Sequence, residues 1–280
     1  MPSTPGLFIT DLDGTLLGSD GTFAQADLDA LHRLGSLGIR TAVATGRSLY
    51  SLTHSPAAEL PVDYVIFSTG AGVIALPGRN LLYRVNLSPQ LVSRALDFLH
   101  GTSLDFMLHD PVPDNHHFVY RRVNADNADF ETRIERYRDF GQPLNSVNGS
   151  GFGEAAQFLA VVPPGGAEAA LTEIRRGLPG LSVVHSTSPL DHASTWIECF
   201  HPAVSKGRTA AWLAAELGID HAQTVAVGND FNDLDLLEWA AHAFVVANAP
   251  DGLRTRFRQV ARGGGGGVAE AAQHWLAGDA

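Results

Sequence analysis

Residues 7–15 read LFITDLDGT and join a short apolar run to two carboxylates and a turn. The apolar part is typical of a central strand in a parallel sheet, which helices cover on both faces. Side chains alternate along an extended segment, so Asp11 and Asp13 share one side of it. Gly14 permits a sharp turn, and Thr15 offers a hydroxyl and an amide to an anion. The stretch therefore predicts a parallel α/β sheet with a polar site at the tip of one strand.

The two carboxylates predict phosphoryl chemistry. Carboxylates this close repel unless a cation lies between them or one is protonated, and Mg²⁺ binds through one or two carboxylates plus substrate phosphate oxygens. A carboxylate nucleophile can form an aspartyl phosphate, and a second carboxyl group can act as general acid and base. The alternative is that Asp11 and Asp13 only cap a turn. The strand before them and the Gly-Thr after them favour the catalytic interpretation.

The composition excludes several classes of protein. A chain of 280 residues, 45% hydrophobic and 18% charged, suits one large or two modest globular domains. Its net charge of -11 argues against a nucleic-acid partner. Cys199 is the single cysteine, which gives neither a disulfide framework nor a thiolate zinc site. With no spanning-length apolar segment and no signal-peptide pattern in residues 1–5, we expect a cytoplasmic protein without a membrane partner.

Lys206 is the only lysine in the chain, and every other residue of the 19 Lys and Arg is arginine. A position that keeps lysine in such a chain favours a compact point charge over the wide, planar guanidinium fork. The alternative is a surface lysine left by chance. The count therefore marks Lys206 as a candidate functional residue.

Strand and helix patterns alternate in the first and last parts of the chain. The candidates are a helix at 22–37 with Thr22 as its N-cap, strands at 39–44 and 64–67, a helix at 206–217, a strand at 224–227, a helix ending at 239, a strand at 244–246 and a helix at 268–276. This order predicts right-handed crossovers and a doubly wound parallel sheet. The glycine run at 263–267 is interpreted as a plain linker rather than a phosphate cradle.

The middle of the chain mixes several short strands with two or three helices, which predicts a separate α+β module. The candidates are helices at 88–100, 130–140 and 167–176 and strands at 105–108, 118–121, 158–162, 181–184 and 195–200. We therefore expect a core domain formed by 1–84 and 203–280, with an inserted α+β domain at 85–202.

Polar residues follow three of the predicted core strands, at residues 11–13, at Thr45 and at residues 229–233. Lys206 lies where the core domain resumes after the insertion. In open α/β sheets, binding sites form where the strands end at their carboxyl edge. The clusters therefore predict a single site at that edge.

Four ordered motifs resemble the haloacid dehalogenase superfamily of phosphotransferases, and within it the Cof-type (subclass IIB) phosphatases. The motifs are DLDGTLL at 11–17, ATGR at 44–47, SKG at 205–207 and GNDFND at 228–233, and STSPLD at 186–191 and WIE at 196–198 look like the end of the family's cap. The resemblance covers essentially the whole chain. It implies an α/β fold with a Rossmann-like doubly wound parallel-sheet core and an inserted α+β cap domain that sets substrate specificity.

The resemblance also implies roles for residues of this chain. Asp11 would be the nucleophile and a metal ligand, and Asp13 the general acid and base, with its main-chain carbonyl on the metal. Thr45 would bind a phosphoryl oxygen, and Lys206 would offset the negative charge. The predicted substrate- or phosphate-binding residues are Thr45, Gly46, Arg47, Lys206 and Asn232. His116 of the inserted domain joins them if the loop at 109–117 contacts substrate, an interpretation drawn from the loop and not from the resemblance. The implied ligands of a Mg²⁺ cofactor are Asp11, Asp13, Asn229 and Asp233.

The sequence departs from the family pattern at two positions. Asn229 stands where relatives carry an aspartate ligand; its amide oxygen can coordinate Mg²⁺ with less charge, or it only shapes the loop while Asp233 compensates. Thr69 stands where relatives often carry asparagine. The loop HDPVPDNHH at 109–117 is open to three interpretations: a metal site, a substrate-sensing loop or a structural turn.

The expected function is a Mg²⁺-dependent phosphatase of small phosphomonoesters, such as sugar or polyol phosphates, acting through an aspartyl phosphate. The expected partner is a small phosphorylated metabolite, and the expected assembly is a monomer or weak homodimer. The alternatives are a phosphomutase with the same aspartate chemistry and a non-catalytic protein that binds a phosphorylated ligand. A signalling receiver also phosphorylates an aspartate, but the long insertion and the Gly14-Thr15 continuation argue against it.

Overall fold

The computed structural model describes residues 5–144 and 152–279. Residues 1–4, part of the stretch used to argue against a signal peptide, lie outside the described residues. The chain divides into two compact units, Met1–Tyr83 with Ser205–Ala280 (unit 1) and Arg84–Val204 (unit 2). No helix in the described ranges has the length and apolarity needed to cross a membrane.

The helices and strands follow the chain in three groups. The first is β1 (Leu7–Asp11), α1 (Gln25–Ser36), β2 (Arg40–Ala44), α2 (Leu49–Thr53), β3 (Tyr64–Phe67), β4 (Gly72–Ala75) and β5 (Asn80–Arg84). The second is α3 (Pro89–His100), β6 (Phe106–His109), β7 (Phe118–Arg121), α4 (Ala128–Arg136), β8 (Gly141–Pro143), β9 (Gln157–Val162), α5 (Ala167–Gly177), β10 (Ser182–Thr187) and β11 (Thr195–Phe200). The third is α6 (Lys206–Glu216), β12 (Thr224–Gly228), α7 (Leu234–Trp239), β13 (His242–Val246), α8 (Asp251–Arg254), β14 (Arg258–Val260) and α9 (Gly267–Ala277).

Unit 1 is built on a sheet with the strand order β14-β13-β12-β1-β2-β3-β4-β5. The pairings from β14 to β3 are parallel, and β4 then returns antiparallel to β3. Because β1 lies between β2 and β12, the strand that ends in Asp11 occupies the middle of the sheet. The expectation of a doubly wound parallel-sheet core is confirmed.

The alternation of side chains along β1 decides where Asp11 points. Leu7 and Ile9 belong to an apolar cluster that includes side chains of α6 and α7. Phe8 lies on the opposite face, where its ring centre is 6.4 Å from that of Trp275 in α9. Asp11 is two residues beyond Ile9 and therefore shares the face that α6 covers.

The start of α1 differs from the sequence prediction. The predicted N-cap, Thr22, lies in the preceding turn, where its hydroxyl and its amide both donate to Asp20 Oδ1 at 2.9 and 3.0 Å. The N-cap position belongs to Ala24, which has no capping side chain. The prediction was wrong because an Asx-type turn can satisfy the same hydroxyl that a helix N-terminus uses.

Unit 2 contains a second sheet with the strand order β10-β11-β9-β6-β7-β8. Its pairings are antiparallel apart from the parallel pair β7 and β8. Helices α3 and α5 pack on one face through side chains such as Leu96 and Ile174. On the other face, Phe130 of α4 packs against Met107 and Leu159. The predicted mixture of strands and helices in this region is therefore present, as a mainly antiparallel sheet with helices on both faces.

Candidate active site

Three charged side chains meet at the carboxyl edge of the unit 1 sheet. The ammonium group of Lys206 donates to Asp11 Oδ1 at 2.6 Å and to Asp233 Oδ1 at 2.5 Å. Lys206 and Asp233 are fully buried, and Asp11 is only 4% exposed. The structure thus brings together the last residue of β1, the first residue of α6 and a residue of the turn after β12.

Helix α6 is placed so that its first side chain reaches β1. Ser205 caps the helix by accepting the amide of Arg208 at 3.2 Å. The amide of Gly207 donates to Asp235 Oδ2 at 2.7 Å, and a Cβ on Gly207 would lie 2.4 Å from the carbonyl oxygen of Asp235. Glycine is therefore required for the close approach of α6 to α7, and this approach fixes the direction from which Lys206 enters the site.

Burial and mutual charge determine the protonation of the three groups. Burial alone would lower the pKa of Lys206, but the Asp11 and Asp233 carboxylates outweigh it and raise that pKa, so the ammonium stays charged. Burial, reinforced by the charge of Asp233, raises the pKa of Asp11 well above its usual range, and Lys206 offsets only part of the increase. One lysine does not fully neutralise two buried carboxylates, which leaves a demand for positive charge beside Asp11.

The turn after β12 fixes Asp233 through both of its oxygens. While Oδ1 accepts from Lys206, Oδ2 accepts the amides of Asn229 at 2.9 Å and Asp230 at 3.2 Å. Asn232 occupies the same single turn. Asp233 therefore orients Lys206 and shapes the loop that carries Asn229.

Asp13 lies just past the end of β1 and pairs with Arg47. The guanidinium contacts the carboxylate twice, Nε to Oδ2 at 2.9 Å and Nη2 to Oδ1 at 2.6 Å. The Asp13 side chain is 47% exposed, in contrast to Asp11. Arg47 was predicted to bind phosphate; the structure places its charge on Asp13, where it orients that carboxylate.

Thr45 and Gly46 form the turn after β2, and the turn after β3 is tied to it. The buried Thr45 hydroxyl accepts the amide of Arg47 at 3.1 Å. The Thr45 carbonyl accepts the amide of Thr69 at 3.0 Å. Ser68 and Thr69 both have positive φ, 49° and 57°, a conformation that costs non-glycine residues about 1–3 kcal/mol each. No residue type in the sequence signals this strained pair.

The oxygen atoms around Asp11 fit a hard divalent cation. Asp11 Oδ2 is buried and has no hydrogen-bond partner among the described residues. The amide group of Asn229 lies beside Gly14, since a Cβ on Gly14 would be 2.4 Å from its nitrogen. No three His, Cys, Asp or Glu side chains converge as a metal site within residues 5–144 and 152–279. Carboxylate, amide and carbonyl oxygens are nevertheless the donor set that Mg²⁺ prefers.

The 109–117 loop of unit 2 is a folded turn. The amide of Asp110 donates to the carbonyl of His117 at 2.9 Å. His109 is 3% exposed, and its Nδ1 is 2.8 Å from the carbonyl of Asn115. Burial is the main cause that lowers the pKa of His109 to about 3, so the ring is neutral. His116, the predicted substrate contact, packs against the rings of His117 and Phe140.

Buried polar contacts in unit 2 were not predicted from the sequence, although Ser188, Trp196 and Glu198 lie in the two segments that resemble the end of the family's cap. Gln157, the register partner of His109, donates to Glu198 Oε1 at 2.9 Å. Asp129 accepts from Ser188 Oγ at 2.8 Å and from Trp196 Nε1 at 2.7 Å. Polar residues at inward positions of otherwise apolar strands, as in QFLAVV and TWIECF, were the available signal.

Comparison with known proteins identifies the family. The model of the haloacid dehalogenase-like hydrolases matches residues 8–263. The chain belongs to this family. The expected resemblance is therefore confirmed, and with it the expectation of an enzyme of the HAD phosphatase type.

Individual relatives agree with this assignment. An HMP-PP phosphatase from Cronobacter sakazakii is 28% identical over 243 residues, which span 85% of this chain and 83% of the relative. A 5-amino-6-(5-phospho-D-ribitylamino)uracil phosphatase from Bacillus subtilis is 23% identical, over 88% and 89% of the two chains. A solved HAD subclass IIB sugar phosphatase shares the fold, with a TM-score of 0.76 and 17% identity over 97% of this chain and 99% of its own.

Proposed function

We propose that this HAD-family chain is a Mg²⁺-dependent phosphatase of small phosphomonoesters, specifically sugar or polyol phosphates, and that it acts through an aspartyl phosphate on Asp11. The observation that carries the proposal is the buried ammonium of Lys206 between the carboxylates of Asp11 and Asp233. A lysine placed in this way holds one Asp11 oxygen fixed and leaves the other oxygen to react.

In the first half-reaction, Asp11 Oδ2 attacks phosphorus. A bond forms between that oxygen and phosphorus, and the bond from phosphorus to the departing alcohol oxygen breaks. Asp13 gives its proton to the departing oxygen, which leaves as the neutral alcohol. Arg47 orients the Asp13 carboxylate for this transfer, and the turn at Thr45 presents its hydroxyl to a phosphoryl oxygen.

In the second half-reaction, Asp13 takes a proton from water as the water oxygen attacks phosphorus. The bond between phosphorus and Asp11 breaks. Inorganic phosphate is released, and the Asp11 carboxylate and the protonated Asp13 are regenerated. Lys206 keeps its charge throughout and stabilises the negative charge that gathers around the phosphoryl group.

The Asp11 carboxylate, the Asp13 carbonyl and the Asn229 amide oxygen would hold Mg²⁺, with Asp233 orienting the loop. When bound, the ion neutralises charge on the phosphoryl oxygens. The proposed division of labour places this chemistry in 1–84 and 203–280 and assigns choice of substrate to the inserted residues 85–202.

The test compares Asp11→Asn with the wild type on para-nitrophenyl phosphate and a panel of sugar and polyol phosphates, with and without Mg²⁺. We expect Asp11→Asn to abolish both turnover and acid-stable phosphoprotein, and Asp139→Asn, at an 85% exposed side chain, to change neither. Retained turnover in Asp11→Asn would contradict the nucleophile assignment. A bisphosphorylated intermediate would favour the phosphomutase, and a wild type that binds but does not hydrolyse would favour the non-catalytic alternative.

A further inference from the structure

The glycine run at 263–267 is in contact with the loop that follows Asp13. The amide of Gly264 donates to the carbonyl of Thr15 at 2.9 Å. The amide of Gly263 donates to Asn248 Oδ1 at 2.7 Å, and Asn248 Nδ2 donates to the carbonyl of Gly14 at 2.9 Å. The interpretation of this run as a plain linker is therefore wrong. We call Asn248, Gly263 and Gly264 the clasp.

Two of the glycines leave no room for a side chain against the loop that follows Asp13. A Cβ on Gly263 would lie 1.9 Å from the carbonyl oxygen of Gly14, and a Cβ on Gly264 would lie 2.4 Å from the Cα of Gly18. Gly264 also has a φ of +67°, in the left-handed region that favours glycine. Gly265 differs, because its Cβ would lie 3.0 Å from the Cγ and 3.2 Å from the carbonyl oxygen of Arg262, and neither atom belongs to the loop that follows Asp13. Gly263 and Gly264 are thus the glycines of the run that pack against this loop.

Asn248 suits its position because its amide both donates and accepts. It follows β13 at the carboxyl edge of the sheet, and the backbone beside it is fixed by the amide of Ala249, which donates to the carbonyl of Val246 at 2.9 Å. Aspartate has the same shape, but it would set an acceptor against the Gly14 carbonyl and lose that hydrogen bond. Only an amide side chain at position 248 can make both hydrogen bonds of the clasp.

The clasp binds backbone carbonyls of the loop after Asp13 that accept no hydrogen bond from the loop itself. Within the loop, the amides of Gly14 and Thr15 are satisfied by Leu17 and Leu12. The carbonyls of Gly14 and Thr15 are the groups that the clasp holds from outside. Asp13, directly before them, has a half-exposed side chain whose orientation otherwise depends on Arg47.

We propose that Asn248, Gly263 and Gly264 are positioning residues, which fix the Asp13-Gly14-Thr15 backbone and thereby the aim of Asp13. This inference rests on the proposed function, because it assigns the aim of Asp13 a role in proton transfer. A displacement of about 1 Å at a positioned catalytic group can cost roughly 100-fold in rate. Loss of one hydrogen bond is a smaller change, worth about tenfold.

The test combines kinetics with hydrogen exchange on the full-length protein. We expect Gly263→Ala to lower kcat by about 100-fold and also to lower Tm, because its Cβ would displace the backbone at Gly14. Asn248→Ala and Asn248→Asp should lower kcat by about tenfold, with KM and Tm close to those of the wild type. Backbone amides in residues 11–18 should exchange faster in all three variants. Outside residues 11–18 and the clasp itself, exchange should be unchanged. Gly265→Ala is the matched control in the same run and should leave both measurements unchanged.

The two measurements separate the inference from the proposed function. A wild type without phosphatase turnover overturns the proposed function, while exchange in residues 11–18 still tests the clasp. Unchanged exchange in Asn248→Ala overturns the clasp even if Gly263→Ala fails to fold, since Asn248 is an exposed side chain. Faster exchange with an unchanged kcat overturns the positioning role and leaves only a structural contact. A lowered kcat with a proportionally raised KM would also overturn it, because that pattern indicates lost substrate binding.

Discussion

Lys206 in unit 1 and His109 in unit 2 are both buried, but in different charge states. In unit 1, Lys206 is buried with two carboxylates, and each charge contacts an opposite charge within 2.6 Å. In unit 2, His109 is buried as a neutral ring, and its Nε2 and Gln157 Oε1 have no hydrogen-bond partner among the described residues. A buried charge demands a counter-charge, whereas a neutral polar atom tolerates a missing partner at a cost of about 1–3 kcal/mol. Unit 2 also buries charged side chains, among them Asp129. The contact of one buried ammonium with two carboxylates lies in unit 1, at the site proposed for the chemistry.

The largest expected effect comes from removing the central cation of unit 1. Lys206→Met would leave Asp11 and Asp233 buried without a positive partner, so we expect a loss of about 3–5 kcal/mol in the free energy of unfolding. Urea denaturation measures the free energy of unfolding of the variant and of the wild type. The double variant Lys206→Met/Asp233→Asn should recover part of the loss. If Lys206→Met is as stable as the wild type, the stability of the protein does not depend on neutralising Asp11 and Asp233.

Lys206→Arg keeps the charge and tests the shape of the site. The ammonium is fully buried between two oxygens at 2.6 and 2.5 Å, and the planar guanidinium fork does not fit this geometry. We expect a folded protein with severely reduced kcat. Kinetics near those of the wild type would mean that the single lysine in the chain is a coincidence.

The corresponding test in unit 2 removes a buried acceptor. Asp129→Ala would leave the donors Ser188 Oγ and Trp196 Nε1 without their partner, at a cost of about 2 kcal/mol or more in unfolding free energy. Asp126→Ala, at an exposed position before the same helix, is the control and should be close to neutral. Equal stabilities of the two variants would remove the distinction between buried and exposed acceptors in this unit.

A smaller effect should appear in the pH dependence of stability. The pKa of His109 is lowered in the folded state to about 3, while the unfolded ring titrates near 6.5. The unfolded state therefore binds more protons between these values, and the folded state loses stability as the pH falls through the window, by at most about 1.4 kcal/mol per pH unit. His109→Phe should remove this contribution, so its stability relative to the wild type should rise as the pH is lowered from 6.5. If the difference in unfolding free energy between His109→Phe and the wild type did not change with pH, His109 would not be a neutral, buried ring.

The smallest expected effect on stability belongs to the exposed pair in unit 1. Arg47→Ala removes the partner of Asp13, and because both side chains are partly exposed the free energy of unfolding should change by less than about 1 kcal/mol. We nevertheless expect kcat to fall about tenfold or more, because Asp13 loses its orientation. Arg40→Ala, which breaks the 3.4 Å pair with Asp63, is the matched control and should leave kcat unchanged.

The sequence could predict the parts of the site that lie at strand ends. Asp11 follows an apolar run, and parallel strands meet at one edge, so its proximity to the turn after β12 was predictable from pattern alone. Lys206 was marked by composition. The pairing of Arg47 with Asp13 was not predictable, since a guanidinium suits a phosphate and a carboxylate equally well.

Other features depend on contacts between residues far apart in the chain. The clasp joins Asn248 to Gly14 across 234 residues, and glycines carry no side-chain pattern that would indicate this contact. The positive φ of Ser68 and Thr69 is imposed by the surrounding fold against their intrinsic preference. Thr22 shows that local sequence can also be ambiguous. Its hydroxyl could cap a helix or bind a turn residue, and the sequence does not decide between them.

The central place of β1 has a consequence for the order in which the protein is made. β1 is synthesised first, but one of its edges pairs with β12, and Lys206 follows Asp11 by 195 residues. At the usual rate of protein synthesis, Asp11 is made roughly 10–40 s before its lysine partner. During that interval an apolar strand has one open edge and its carboxylate has no counter-charge. We therefore expect the open edge of β1 to favour aggregation or chaperone binding in the nascent chain until Lys206 and β12 have been made.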